Sequence, residues 1–354
     1  MKHGWILPLL LIGGLIAFPA ETSAAASHAA LLWWSRVLPA LLPYLIAASL
    51  LERSGVFLRV PKRLLPLSLF LCGALGGYPV GAKLARALSD RKVLSEADAQ
   101  LVAQRTDLPN PVFLLTVVSI GFFGDARCAF PLLIGVYAAA LLFALPLLRV
   151  TANRLKDKPF GLKPDDLGGA VADGVRTIGV IGGCLIFASV LGALAEAFGL
   201  YRALHALLHV PEAPVRAVLS GLFEVTCGIE NAASLPISLS LRLAFAAFFA
   251  QFGGLSVTLQ VHAQVPLRLS RYVWVKLAAG ALSALIAFLL TPLFLPDAIA
   301  PAFADAAGMK QNAFSLFTVT VAAATGLLFV FVLTARFPKR KSARVPKNTG
   351  AVEP

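Results

Sequence analysis

The sequence has little charge. Only 14% of its 354 residues are Asp, Glu, Lys or Arg, whereas a typical soluble domain contains about 25%. With 58% hydrophobic residues and a mean hydropathy of +0.81, the chain is too apolar for a soluble enzyme or a disordered protein. It also lacks the glycine period of collagen, the heptads of a coiled coil and the alternating strands of an outer-membrane barrel. The composition therefore predicts an all-α, polytopic integral membrane protein.

The sequence also lacks the usual signatures of catalysis and metal binding. It contains no GxxxxGK[ST] motif, and its four cysteines form no CxxC pair. The histidines have no ligand-like spacing with carboxylates, and no Ser-His-Asp arrangement stands out. We therefore predict a protein that is not an enzyme and that holds no cofactor and no metal.

The net charge of +13 comes mainly from basic residues in short loops and in the C-terminal tail. No basic-aromatic pattern accompanies this charge, so it indicates membrane topology and lipid-headgroup contact and not a nucleic-acid partner. Because basic loops stay in the cytoplasm, Lys156 and Arg340 are expected there and Pro301 on the opposite side.

The apolar runs predict about eight to ten membrane segments. An Ala-rich stretch after the first run resembles a signal-peptidase site. We predict that the first helix is not cleaved, and removal by signal peptidase is the alternative. The predicted regions are an N-terminal membrane helix (1–28), a first repeat (29–150), a cytoplasmic linker (151–168), a second repeat (169–297), an external loop with the last membrane helix (298–335) and a basic cytoplasmic tail (336–354).

The two halves have the same order of elements. Each half has a long apolar helix, a glycine-broken polar segment, a Phe-rich interrupted segment and a plain span. The loop charges place corresponding helices in opposite directions across the membrane. Inverted repeats of this kind are typical of secondary transporters, although chance alternation in a polytopic protein is the alternative.

The first half contains a break that a regular helix does not tolerate. Pro79 removes a backbone donor, and the neighbouring glycines weaken helix propensity. At membrane depth such a break must line a cavity or be covered by protein, and its free amides favour an anion. The candidate binding residues are Gly77, Tyr78, Pro79, Gly81 and Lys83. The alternative is a turn at the membrane interface with a snorkelling lysine.

The matching segment of the second half carries a carboxylate. Glu224 follows an apolar run, and a carboxylate inside a membrane is costly and functional by default. We predict that Glu224 binds the coupling ion or pairs with Lys83, with Thr226, Gly228 and Asn231 as binding residues beside it. The alternative is that this segment lies near the membrane surface.

A second pair of breaks completes the candidate site. Asn110 precedes a proline in the first half, and Gly253-Gly254 interrupt a Phe-rich run in the second. Asn110, Ser256 and Gln260 offer side-chain hydrogen bonds, so these residues and the two glycines are predicted to bind substrate. The alternative for the glycines is close packing between helices.

Three stretches resemble one known family. The stretch from Gly76 to Lys83, the stretch from Asn110 to Phe123 and the stretch from Phe252 to Gln260 resemble the sporulation integral membrane proteins of the YlbJ (SpoVV) type. The resemblance implies two Gate-type (nucleoside recognition) repeats, as in nucleoside transporters and ferrous-iron permeases. It also implies a multi-pass protein of the outer forespore membrane that moves dipicolinate during endospore formation.

We therefore predict a secondary transporter of a small organic anion, with dipicolinate as the cargo. Its expected partners are the anion, the lipid bilayer and a coupling proton or sodium ion; an oligomer is possible. One alternative is a symporter of nucleosides or other metabolites within the Gate group. The other is a membrane scaffold for assembly of the spore cortex.

Overall fold

The computed structural model describes residues 5–55, 60, 64–150 and 163–296. The predicted last membrane helix, the basic tail and most of the linker, including Lys156, Pro301 and Arg340, lie outside these ranges. Within them all regular secondary structure is helical, which confirms the all-α fold class.

The helices of the described residues follow one another with short connections. They are α1 (Ile6–Ala17), α2 (Pro19–Leu32), α3 (Leu38–Arg53), α4 (Leu65–Gly76), α5 (Val80–Asp90), α6 (Glu96–Arg105), α7 (Phe113–Phe122, with π-type hydrogen bonds), α8 (Ala129–Ala144), α9 (Pro164–Ala197), α10 (Leu200–Leu208), α11 (Glu212–Phe223), α12 (Val225–Ala233), α13 (Leu239–Phe252), α14 (Gly254–Gln264) and α15 (Leu269–Phe294).

Five helical stretches of the described chain are long and apolar enough to cross a membrane. They are Pro19–Arg53, Ala126–Arg149, Pro164–Ala197, Leu239–Gln264 and Leu269–Phe294. Helix α15 shows how such a span meets lipid, because Leu285, Leu289 and Leu293 form an exposed stripe one turn apart. Its opposite face is buried against α8 and α13. These features confirm a polytopic membrane protein. Shorter apolar helices such as α4 and α7 reach only part of the way across.

The first long span is a single helix of 35 residues built from α2, a π-helical turn (Trp33–Val37) and α3. The π turn directly precedes Pro39, whose ring has no N–H to continue the regular hydrogen-bond ladder. The predicted boundary between residues 28 and 29 lies inside this helix, and α1 ends earlier, at Ala17.

Corresponding helices of the two halves run antiparallel. Along the α2–α3 helix, the Trp33 indole donates to the Ile178 carbonyl at 3.0 Å, and Arg53 pairs with Asp173 at 2.8 Å, nearer the start of α9. Helices α8 and α15 pair in the same manner, with the Phe130 and Phe294 rings stacked at 5.4 Å. Opposite directions are what an inverted repeat requires.

Each half contains two interrupted helix pairs. In the first half α4 and α5 meet at residues 77–79, and α6 and α7 are joined by the extended residues 106–110. In the second half α11 and α12 meet at Glu224, and α13 and α14 meet at Gly253. Every described long helix lies beside one of these interruptions, so the breaks are enclosed by protein.

Candidate functional site

The four interruptions meet at one central cavity. Seven of the predicted site residues line it: Gly77, Tyr78, Asn110, Glu224, Thr226, Ser256 and Gln260. The rest of the wall is apolar and includes side chains of α3 and α9, such as Leu41 and Ile181. Two breaks from each half therefore contribute to a single site, although they lie far apart in the sequence.

The cavity lies where four helices begin. Most of its polar lining residues directly precede or belong to the first turns of α5, α7, α12 and α14. Backbone amides at helix starts have no partner within their own helix and carry partial positive charge. These amides place partial positive charge at the cavity, whose lining contains the Glu224 carboxylate and no Lys, Arg or His.

Asn110 connects the two breaks of the first half. Its side-chain amide donates to the Leu75 carbonyl at 2.5 Å, near the end of α4. Its side-chain oxygen accepts the Val112 amide at 2.7 Å, just before α7. Both polar atoms of the side chain are thus used by the backbone, which assigns Asn110 a positioning role at the cavity wall.

Glu224 lies at the first break of the second half, between α11 and α12. Its carboxylate accepts the Cys227 amide at 2.8 Å and the Thr226 hydroxyl at 3.3 Å, so it caps α12. The residue is only 2% exposed, and the two groups that hydrogen-bond to its carboxylate are uncharged. A buried carboxylate without a positive partner is costly in its ionised form. Glu224 is therefore placed to bind a proton or another cation.

Three buried polar atoms at the cavity wall have no hydrogen-bond partner. They belong to the Tyr78 hydroxyl, the Ser256 hydroxyl and the Gln260 side-chain oxygen. Unsatisfied buried groups are rare and usually mark a water, an ion or a ligand. These three atoms are free to contact a bound molecule.

Glu224 also borders a second, larger cavity, which we call the vestibule. The vestibule has a volume of about 240 Å³ and contains Asn231, whose side chain donates to Ser220 at 2.9 Å. Glu196 and Glu230 lie on its wall together with Arg216. Glu224 thus borders both the central cavity and a space that carries further acidic groups.

Lys83 lies in a different place from the one predicted. Its ammonium group donates to the Thr177 hydroxyl at 3.5 Å, and it lines a separate small cavity with Ser49 and Glu52. The structure therefore does not bring Lys83 to Glu224. The Lys83 side chain points from α5 toward α3 and α9, and therefore away from the central cavity.

The remaining predicted residues shape the backbone around the cavity. Pro79 begins α5, and Gly77 and Gly253 have φ values of 80° and 84°, which side chains other than glycine rarely adopt. Added Cβ atoms on Gly81 and Gly228 would lie 2.1 Å from Thr106 and Gly221, so glycine permits these close contacts. An added Cβ on Gly254 would likewise lie 2.9 Å from the Gly221 carbonyl oxygen.

The sequence reasoning missed one buried charged group. Asp107 lies in the extended segment before Asn110, and it is held by Tyr272 and Lys276 of α15. The signal was present, since Lys276 interrupts an apolar span and follows Tyr272 by one helical turn. In the described part of the chain, no group of three or more His, Cys, Asp or Glu side chains is placed to hold a metal.

The chain is similar to the sporulation integral membrane protein YlbJ of Bacillus subtilis (strain 168). The two are 27% identical over 333 residues, which cover 81% of this chain and 82% of the relative. No protein-family model and no solved structure matches the chain. The similarity confirms the resemblance to YlbJ-type sporulation membrane proteins, while the Gate domain stays a prediction. The relative's name describes a membrane protein and no enzyme.

Proposed function

We propose that this protein is a secondary transporter of a small organic anion, with dipicolinate as its cargo, in the outer forespore membrane during endospore formation. One observation carries the transport proposal: four helix starts and three unpartnered polar groups converge on a single cavity between antiparallel halves. Transporters bind substrate at such broken helices. Dipicolinate and the forespore membrane come from the resemblance to YlbJ-type proteins.

The cavity suits an anion because backbone amides supply the positive charge. Each helix start is equivalent to roughly half an elementary charge. Asn110 and Glu224 cap two of the four helices, whereas α5 and α14 have no side-chain cap. Carboxylates of the cargo would accept hydrogen bonds from these amides and from the hydroxyls of Tyr78 and Ser256.

Glu224 supplies the coupling between cargo and proton. Its ionised carboxylate holds the Cys227 amide, where a carboxylate of the cargo would otherwise bind, and it repels an anion in the same cavity. Protonation removes the repulsion and weakens the hydrogen bond to the Cys227 amide, because a neutral acceptor binds an amide less strongly than a carboxylate. Proton binding and anion binding therefore favour each other, and this linkage is reciprocal.

The volume of the central cavity indicates a closed state. At about 20 Å³ it accommodates a water molecule and not an aromatic dicarboxylate. We propose that the cargo enters when the two halves move apart around the four breaks, as in alternating access. The vestibule beside Glu224 is the larger space from which a proton reaches the carboxylate.

A symporter of nucleosides or other neutral metabolites is the second candidate. It is favoured by one observation: Glu224 and Gln260 line the cavity, and no Lys, Arg or His does. A carboxylate and an amide suit neutral hydroxyl groups. A scaffold is less favoured, because it has no need for unpartnered polar groups around a buried cavity.

Uptake into liposomes tests the proposal. The purified protein should take up radiolabelled dipicolinate when the outside is acidic, and unlabelled uridine should not compete. Ser256→Ala should weaken the apparent affinity about tenfold or more, since a hydrogen bond to a charged group contributes ~1.5–3 kcal/mol. Ser283→Ala is the matched control, because its hydroxyl is equally buried and unpartnered but does not line the cavity. Uridine uptake without dipicolinate uptake would establish the second candidate.

A further inference from the structure

A buried charge pair connects the two halves of the molecule. The Lys276 ammonium group donates to the Asp107 carbonyl oxygen at 2.6 Å and lies 3.4 Å from its carboxylate. The Tyr272 hydroxyl donates to the same carboxylate at 2.5 Å. Asp107 belongs to the break between α6 and α7, whereas Tyr272 and Lys276 belong to α15. All three side chains are at most 2% exposed.

Stability alone does not explain this pair. Removing two charges from water costs more than their attraction usually returns, and apolar replacements of buried ion pairs are often neutral or stabilising. Within a membrane the cost of ionisable groups is higher still, and they are functional by default. One oxygen of Asp107, Oδ1, is buried without any hydrogen-bond partner, so the carboxylate has an unused binding position.

Tyr78 connects this pair with the central cavity. Its side chain lines the cavity, its hydroxyl is buried without a hydrogen-bond partner, and both Asp107 and Glu224 lie in its surroundings. The ionisable side chains that face Asp107 are Lys276 and Tyr272, both of α15. Tyr137 of α8 is the other ionisable side chain near Tyr78. Its hydroxyl donates to the Pro109 carbonyl at 2.7 Å.

We propose that Asp107 is a second proton-binding site, and that Lys276 then supplies the positive charge that the cavity lining lacks. A proton from hydronium on the acidic side adds to Oδ1 of Asp107: one O–H bond of hydronium breaks, one O–H bond forms on the carboxylate, and water is released. Lys276 keeps its proton and its contact with the Asp107 carbonyl oxygen. The net charge of the pair changes from zero to one positive charge, which attracts an anion in the adjacent cavity.

This inference rests on the proposed function and refines its coupling. A dianionic cargo that moves with one proton on Glu224 and one on Asp107 carries no net charge across the membrane. Its uptake should therefore follow the pH gradient and should not respond to the membrane potential. Each carboxylate accounts for one of the two protons.

The experiment measures the number of protons that accompany each dipicolinate. Wild-type protein in liposomes should take up dipicolinate with two protons, at a rate unaffected by a potassium–valinomycin potential. Asp107→Asn combined with Lys276→Met removes both charges and one proton site, so uptake should become sensitive to potential, with one proton per dianion. Arg53→Met combined with Asp173→Asn is the control, because it removes an ion pair outside the cavity.

Each result decides the question. Potential-sensitive uptake by the wild-type protein, or unchanged stoichiometry in the double variant, would overturn the second proton site. If the double variant does not reach the membrane, Asp107→Asn alone replaces it, because asparagine keeps the shape of the side chain. The number of protons per dipicolinate in the wild-type protein tests the second proton site in either case. Absence of any dipicolinate uptake by the wild-type protein would instead contradict the proposed function.

Discussion

The side chain of Asn110 joins the end of one broken helix to the start of another, with a 2.5 Å hydrogen bond to the Leu75 carbonyl. Its second hydrogen bond, from the Val112 amide, completes the connection. The two breaks of the first half are therefore mechanically linked.

Asn110→Ala should destabilise the protein clearly. The substitution removes the partners of the Leu75 carbonyl and the Val112 amide, at a cost of about 1–3 kcal/mol in total. Thermal unfolding of the detergent-purified protein measures the effect. Asn231→Ala is the control, since Asn231 makes one hydrogen bond, to Ser220, at the vestibule. An unfolding temperature equal to that of the control would contradict the positioning role.

Glu224→Gln should abolish uphill transport. Glutamine keeps the oxygen that caps α12 but cannot bind and release a proton, so uptake driven by a pH gradient should stop. Exchange of cargo across the membrane and the amount of protein should remain near normal. Glu230→Gln is the control, because Glu230 belongs to the same helix, is more exposed and lies 3.4 Å from His28. Normal gradient-driven uptake by the Glu224 variant would remove this residue from the coupling mechanism.

Gly81→Ala should disturb the contact between α5 and the break at 106–110. The added Cβ would lie 2.1 Å from the Thr106 hydroxyl oxygen and 2.6 Å from its carbonyl oxygen. Overpacking of this kind costs about 1–3 kcal/mol. Gly183→Ala on α9 has no atom within 4 Å of its Cβ and should be neutral or slightly stabilising. Equal thermal stability of the two variants would show that α5 has room to move away.

Cysteine labelling tests the membrane orientation. Glu96 lies on the same face as Pro266, beside the basic loop between α14 and α15, and this face should be cytoplasmic. Ala126 lies just before the start of α8, at the end of this helix that should face the other side of the membrane. With the native cysteines replaced, an impermeant thiol reagent should label Ala126→Cys in intact cells and Glu96→Cys only after lysis. The reverse pattern would invert the proposed topology.

The helix ends were largely predictable because they depend on local chemistry. Ser95 caps α6 by accepting the Asp98 amide at 3.0 Å, and a serine with an acidic residue three positions later is a local pattern of helix starts. The interruptions at Pro79 and Gly253 also occur where the sequence placed them, since proline lacks an N–H and glycine adopts positive φ. The 35-residue first span was not predicted, because a π-helical turn accommodates the chain before Pro39.

The sequence by itself determined the membrane class, the breaks and the presence of a costly carboxylate at Glu224, because hydropathy, proline, glycine and charge act locally. Only the tertiary structure decided which polar groups meet. Helix rotation turned Lys83 toward Thr177 and away from the cavity. Antiparallel packing brought Lys276 to Asp107, 169 residues away in the chain. Such a contact depends on how two helices pack against each other, and no local pattern specifies that packing.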